Sequence, residues 1–329
     1  MTKQKISVIG SGAWGSTIAA YLAKNGKSVT LWEFDPGQLS YIRRHGHPMF
    51  FPFVKMGGKV CLTGDIAAAV RESGIVIMCV PSQAVRATSR AMSKHTSARQ
   101  LFVIASKGIE IATGKLLSEV MEEELQTNRI TVLSGPSFAK EVAMGLPTAM
   151  VAAGAGKHTS AIQKSFSSEY LRVYTNEDIV GVEIGGALKN IIAIACGIAR
   201  GSGLGDNTLA AIVTRGLAEI TRLGVKLGAD KHTFSGLSGL GDTLMTSFSE
   251  NSRNRSFGEL IGKGMTLNSA VKKIGMVVEG IPTTRAVMNI SRKTKIEMPI
   301  TAEVHRILFG KKSPKSAIIS LMTRDMKPE

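Results

Sequence analysis

Aromatic side chains are scarce, at 5% of 329 residues, and acidic residues are outnumbered, with 25 Asp and Glu against 41 Lys and Arg. So few rings leave little to stack against bases. With no recognisable binding motif either, nucleic acid is not expected as a partner. The net charge of +16 is spread evenly, +8 in residues 1–177 and +8 in residues 178–329, so no basic arm emerges. Such a field favours anionic ligands in general without selecting one. Cysteine is also rare. Cys61, Cys79 and Cys196 are odd in number, far apart and embedded in apolar sequence, which excludes a disulfide framework and reads as reduced core thiols of a cytosolic protein. No HExxH pattern occurs, His45-Gly46-His47 reads as a loop, and no metal site is expected. The MTKQK start runs into ISVIG, too short for a signal peptide, and no apolar run reads as a membrane span. A cytoplasmic protein without stable membrane insertion is the expectation.

What the chain does have is length and apolar content, 43% hydrophobic over 329 residues, enough for two domains with substantial cores. The stretch 181–201, GVEIGGALKNIIAIACGIARG, is the most informative. From Ile184 to Ala199 only Lys189 and Asn190 are neither apolar nor small, and Lys189 alone is charged. A helix hydrophobic on all sides belongs inside a domain. There an unpaired ammonium is costly, and desolvation pulls a lysine toward the range where it exchanges protons near neutrality. Gly185 and Gly186 stand four and three residues before Lys189 on the same helical face, leaving room for something to lie against the backbone. The bland alternative is a lysine that reaches the surface from an oily helix.

At the amino end, Ile6–Ile9 reads as a buried strand running straight into Gly10-Ser11-Gly12-Ala13-Trp14-Gly15 and an alanine-rich helix. Strand, GxGxxG and helix in that order describe a dinucleotide turn. Gly10 permits the tight turn, Gly12 the approach of a pyrophosphate, and Gly15 close helix packing. A second strand, Val29–Trp32, ends at Glu33, with Asp35 two residues later, which places a carboxylate about where a dinucleotide ribose presents its 2′-hydroxyl. Further strands are expected at Val60–Leu62, Ile75–Val80, Leu101–Ala105, Ile130–Leu133, Ala149–Ala153 and Leu171–Tyr174, mostly with helices between them. That alternation implies an α/β domain with a doubly wound, mostly parallel sheet covered on both faces. Residues just after such strands gather around ligands, which singles out Lys107, Gly135 and Ser137.

From about Asp178 strand signals fade, so a domain boundary is placed there, giving residues 1–177 for nucleotide binding and 178–329 for an all-helical substrate and catalytic domain. After a helix near Asn207–Leu227, the glycine-rich stretch 234–258 reads as a loop. It brings Asp242 and the Ser252-Arg253-Asn254-Arg255 run within one connection. A carboxylate there could hold the buried lysine in its charged form, and a guanidinium fork suits phosphate. Asp242 as a plain helix cap and solvated arginines are the competing readings.

In order along the chain, GxGxxG, SKG, SGPSFAKE, GGALKN, GLGD, SRNR and VVEG resemble the bacterial NAD(P)-dependent glycerol-3-phosphate dehydrogenase family from Gly10 to about Ile300. The resemblance implies a Rossmann-type domain followed by a helical one, a homodimer, and interconversion of dihydroxyacetone phosphate and sn-glycerol 3-phosphate for phospholipid synthesis. It makes Lys189 the proton-transfer residue, with Asp242 and Asn190 beside it. Lys107, Gly135, Ser137, Ser252, Arg253 and Asn254 become further substrate contacts, and Trp14, Phe34, Lys107, Ala139, Arg253, Val277 and Glu279 cofactor contacts with the glycine turn. Three positions depart from the family pattern. Ala13 stands where serine is common, Phe34 stands where a basic or polar residue is frequent, and residues 47–58 match the usual loop only loosely. Whether NAD or NADP is preferred stays open. The competing functions are another two-domain dehydrogenase, such as a ketopantoate or 3-hydroxyacyl reductase, and a non-catalytic dinucleotide sensor.

Overall fold

The structure, a computed structural model, describes residues 5–326, so most of the MTKQK start lies outside the described residues. Two compact units divide the chain. The first comprises residues up to Lys107 together with Lys115–Glu183, and the second comprises Gly108–Gly114 and everything from Ile184 onward.

The first unit is built on one eight-stranded sheet: β1 (Lys5–Ile9), β2 (Ser28–Trp32), β3 (Val60–Thr63), β4 (Ile75–Met78), β5 (Leu101–Ile104), β6 (Ile130–Ser134), β7 (Thr148–Gly154) and β8 (Leu171–Asn176). Their order is β3-β2-β1-β4-β5-β6-β7-β8. Helices α1 (Ala13–Lys24), α2 (Pro36–His45), α3 (Ile66–Val70), α4 (Val85–Ser93), α5 (Leu117–Leu125), α6 (Ala139–Ala143) and α7 (Gly156–Phe166) connect or flank them. Along each central strand, successive side chains enter opposite cores. Ile6, Val8, Ile75, Ile77, Leu101 and Val103 pack into one, while Ile9, Val76, Met78, Phe102 and Ile104 pack into the other. Burial on both faces is why these strands read as unbroken apolar runs instead of alternating ones.

Every strand pair is parallel except β6 with β7. The turnaround has a geometric cause. A parallel return must carry the chain back along the full strand, but α6 has only five residues and rises about 7.5 Å. The chain therefore re-enters the sheet from the end at which it left. The thiols also depart from expectation. Cys196 is buried and Cys79 half-buried, but Cys61 is exposed, because β3 is a four-residue edge strand covered less than the centre.

The second unit is helical: most of α8 (Ile179–Gly201), then α9 (Asp206–Lys226), α10 (Asp242–Phe248), α11 (Arg253–Gly262), α12 (Leu267–Ile274), α13 (Gly280–Thr294), α14 (Pro299–Gly310) and α15 (Pro314–Met322). At 23 residues, α8 is in fact long and apolar enough to cross a membrane, and 89% of its most apolar window is buried within the protein. The stretch 234–258 is not one loop. A 3₁₀ turn at Lys231–Ser235, a π-helical turn at Leu237–Gly241 and helix α10 occupy most of it, and α11 begins at Arg253. Ser252 starts that last helix by accepting a hydrogen bond from the Arg255 amide at 3.2 Å.

The units divide after Glu183 instead of at 177/178, because the first turn of α8 packs into the sheet unit. Val182 joins the core there, and Glu183 accepts hydrogen bonds from the Ser118 amide at 3.1 Å and from the Ser118 hydroxyl. Residues 108–114 group with the helices, where Gly114 lies against Ile290 of α13.

Burial outweighs the Ser118 hydrogen bonds and pushes the Glu183 carboxyl up to about 7 from 4.5. Below pH 4.5 the group is neutral in both folded and unfolded chains. As pH rises from 4.5 to 7, the unfolded chain loses this proton while the folded one keeps it, so stability falls across that window. The loss is on the order of 3 kcal/mol by pH 8. Urea unfolding of the wild type and of Glu183→Gln should show their stability difference moving in the variant's favour by that order between pH 5 and 8; a difference independent of pH would contradict it.

Candidate active site

Gly10 sits at φ +107°, a left-handed conformation that side chains rarely adopt. A Cβ on Gly15 would lie 1.9 Å from the Gly10 carbonyl oxygen, so helix α1 can approach the strand only with glycine there. Gly12 differs from both, since a Cβ there would meet nothing within 4 Å. It begins α1 without any side-chain cap, and no acidic residue occupies the first turn. Open space in front of uncapped amides is the cradle a pyrophosphate requires. The register brings Ile9 beside Trp32, so the glycine turn and Glu33 emerge together at the carboxyl ends of β1 and β2. Ser11, buried, donates its hydroxyl to Glu33, and the Asp35 amide donates to the same carboxylate at 2.7 Å. Phe34, 82% exposed, stands beside it.

Farther along the sheet, Lys107, Gly135 and Ser137 converge on one atom. The Gly135 carbonyl accepts from the Lys107 Nζ at 3.1 Å and from the Ser137 hydroxyl at 3.0 Å. Gly135 itself adopts φ +121°, and a Cβ there would press on the backbone of Met150 and Ala149 on the neighbouring β7.

In the helical unit, Lys189 is 6% exposed and Asp242 fully buried. The ammonium donates to the Asp242 Oδ1 at 2.5 Å and to the Thr246 hydroxyl at 2.8 Å, and that hydroxyl is 3.2 Å from the same carboxylate oxygen. Lys189 therefore does not reach for the surface. The carboxylate offsets its desolvation and favours the charged form. One residue on, Asn190 accepts from the Asn254 amide group at 2.9 Å, and the Asn254 side-chain oxygen accepts from the Gly280 backbone at 2.9 Å. These bonds tie α8, α11 and α13 together. Arg253 donates one N–H to the Val277 carbonyl at 3.1 Å, near Glu279 at the start of α13. Arg255 is neither solvated nor a ligand candidate, because it is buried with its guanidinium on the Ser249 carbonyl and Glu259.

What lies against Gly185 is the protein itself. A Cβ there would come within 2.6 Å of the Ser238 carbonyl oxygen, so the π-helical turn rests directly on α8. That turn closes with the Gly241 amide donating to the Gly236 carbonyl at 3.1 Å, and Asp242 follows it immediately. Gly239 is equally constrained, since a Cβ would sit 2.1 Å from the Phe234 carbonyl oxygen.

Residues 5–160 and 178–319 match the profiles described as the N-terminus and C-terminus of NAD-dependent glycerol-3-phosphate dehydrogenase. A relative in Thermoanaerobacter sp. (strain X514), named glycerol-3-phosphate dehydrogenase (NAD(P)+), is 49% identical over 99% of this chain and 98% of its own. The chain belongs to the NAD(P)-dependent glycerol-3-phosphate dehydrogenase family. Another relative so named, from Citrifermentans bemidjiense, is 44% identical over 99% of both chains. The crystal structure of a glycerol-3-phosphate dehydrogenase from Coxiella burnetii superposes with a TM-score of 0.95 at 35% identity, covering 98% of this chain and 99% of that one.

Against the family's motifs, the residues divide by unit. The glycine turn, Phe34, Lys107, Gly135, Ser137 and Ala139 belong to the sheet unit, and Lys189, Asn190, Asp242, Ser252, Arg253, Asn254, Val277 and Glu279 to the helical one. One participant escaped the sequence reading. Thr246 is four residues after Asp242, hence on the same face of α10, and that spacing was the available signal.

The packing of Gly185 carries a consequence. Gly185→Ala should cost about 1–3 kcal/mol in urea unfolding, because neither backbone can move independently. Gly156→Ala, where nothing lies within 4 Å, should be close to neutral. Equal effects at the two positions would contradict this account of the α8 contact.

Proposed function

We propose that the protein interconverts dihydroxyacetone phosphate and sn-glycerol 3-phosphate with NAD(P)H, serving glycerophospholipid synthesis as a cytoplasmic homodimer. The observation that carries this reading is the buried ammonium of Lys189, held by Asp242 and Thr246. Bound reduced nicotinamide supplies a hydride to the ketone carbon. The ketone oxygen then gains negative charge and needs a proton, and Lys189 offers both a positive charge and a proton. Asp242 keeps the amine placed and charged in a dry setting, and Thr246 fixes a second of its three N–H directions. Arg253 keeps guanidinium N–H groups beyond the one given to Val277 and would anchor the substrate phosphate, with Ser252, Asn190 and Asn254 disposed toward its hydroxyls. In the sheet unit Lys107, Gly135 and Ser137 would add contacts to the anionic substrate.

The residues of the glycine turn fit a dinucleotide. Amides at the start of α1 would hold the pyrophosphate across the open face of Gly12, and Glu33 would accept from the ribose hydroxyls. Because Ser11 and the Asp35 amide already anchor that carboxylate, and Phe34 brings no cation, a 2′-phosphate would meet negative charge there. This favours NADH over NADPH.

The test follows absorbance of NADH and NADPH separately when dihydroxyacetone phosphate is added. Turnover is expected with both, with kcat/KM about tenfold or more higher for NADH, a difference near 1.4 kcal/mol. Lys189→Ala should lower kcat by roughly 10²–10⁴ while NADH still binds. A variant with near-normal kcat would remove Lys189 from the chemistry. Turnover of ketopantoate but not of dihydroxyacetone phosphate would favour the rival reductase, and cofactor binding with no turnover would favour a sensor.

A further inference from the structure

The segment at residues 47–58, which matches the family's usual loop only loosely, forms one wall of a cavity in the sheet unit. Phe51 and Val54 anchor it inward, and the Met56 amide donates to the Gly46 carbonyl at 2.7 Å. Phe53 is left half exposed with the Lys140 ammonium 4.6 Å from its ring centroid. Behind it lies a cavity of about 570 Å³, within the range of small-molecule sites, about 300–1,000 Å³. The carboxyl-terminal half of α1 forms the floor, with the end of α6 and Tyr170 on the other sides. The glycine turn sits at the opposite end of α1, about 18 Å from Lys24 along the helix axis.

Two features of the lining define what fits. Its central hydroxyls are already satisfied, Thr17 by the Ala13 carbonyl at 2.8 Å and Tyr21 by the Phe166 carbonyl and Ser168. The floor therefore offers chiefly apolar surface. Lys24, Lys55 and Lys59 line the same cavity, no Asp or Glu does, and among the described residues none of the three has an ion-pair partner. Lys24 lies 5.5 Å from the Tyr170 ring centroid, so its charge is held at the cavity.

We propose that this cavity binds one anionic amphiphile, an apolar chain or ring system lying on α1 with a phosphate or carboxylate head among Lys24, Lys55 and Lys59. None of the residues lining it is among those assigned to the dehydrogenase reaction, although Thr17 donates to the Ala13 and Ala139 carbonyls. An acyl chain without a charge leaves the ammonium groups unanswered, and a bare anion leaves the apolar floor wet, so affinity depends on both halves of one molecule.

Calorimetric titration of the full chain with decyl phosphate, below the concentration at which it self-associates, tests this. Saturation at one molecule per chain is expected, with decanol and inorganic phosphate each at least about tenfold weaker, which is about 1.4 kcal/mol. Decanoate in place of decyl phosphate distinguishes a carboxylate from a phosphate source, and saturable binding of either supports the site. The combined variant Lys24→Gln, Lys55→Gln, Lys59→Gln should lose at least about tenfold in decyl phosphate affinity. Its dehydrogenase kcat should be unchanged. Lys272→Gln with Lys273→Gln, on α12 of the other unit, should bind as the wild type does. No saturable binding of either amphiphile, equal binding of decanol, full affinity in the triple variant, or an equal loss in the α12 variant would each overturn the proposal.

Discussion

A positive charge inside a helical core is the constraint around which the second unit is arranged. Lys189 occupies a stretch of α8, Ile184–Ala199, in which every other residue except Asn190 is apolar or small, and an ammonium in that position is tolerable only with a carboxylate against it. Asp242 meets the need at 2.5 Å, and several other features follow from putting it there. The π-helical turn at Leu237–Gly241 delivers Asp242 to α8, Gly185 clears the space in which that turn rests, and Gly239 lets the turn close upon Phe234. A Cβ at Gly185 would press on the backbone of the turn that presents the carboxylate, and one at Gly239 on the backbone of Phe234 just before it. The same pairing that makes the charge tolerable also holds a proton donor in one place.

The sheet unit answers a different requirement with comparable economy. Its central strands are buried on both faces, so polar chemistry there can occur only where they end. Gly10, Gly12 and Gly15 each meet a separate demand there, one of backbone angle, one of open space and one of close packing. Ser11 links the turn to Glu33 at the end of the next strand, so the two parts expected to contact a dinucleotide are joined by a hydrogen bond before any ligand arrives. Gly135 does similar work farther along, gathering Lys107 and Ser137 on its carbonyl.

Much of this was legible in the residues because the signals are local. Continuous apolar runs mark β4 and β5, and the apolar or small character of 184–199, broken only by Lys189 and Asn190, marks α8 as interior. The glycine turn states its own purpose. What escaped reading depends on distance in space. The empty face beside Gly185 predicts that something lies there, but not that it is the carbonyl of Ser238, more than fifty residues later. Stretch 234–258 looks like a loop because glycine and serine dominate it, although tertiary contact makes most of it helical. The reversal of β7 follows from the shortness of α6, and the length of a helix is less visible than its presence. Cys61 sits in apolar sequence and is still exposed, since an edge strand has only one neighbour. Thr246 is an ordinary threonine until Asp242 is known to face α8.

The claim beneath all of this is that Lys189 and Asp242 form an ion pair in a dry interior, each required by the other. A double-mutant cycle on unfolding free energy measures that dependence directly, using Lys189→Met, Asp242→Leu and the two together. Each single change should cost about 3–5 kcal/mol by stranding a buried charge, and the combined change should cost at least about 2 kcal/mol less than their sum. Additive losses would mean that the two groups do not depend on one another, contrary to this account of the helical unit.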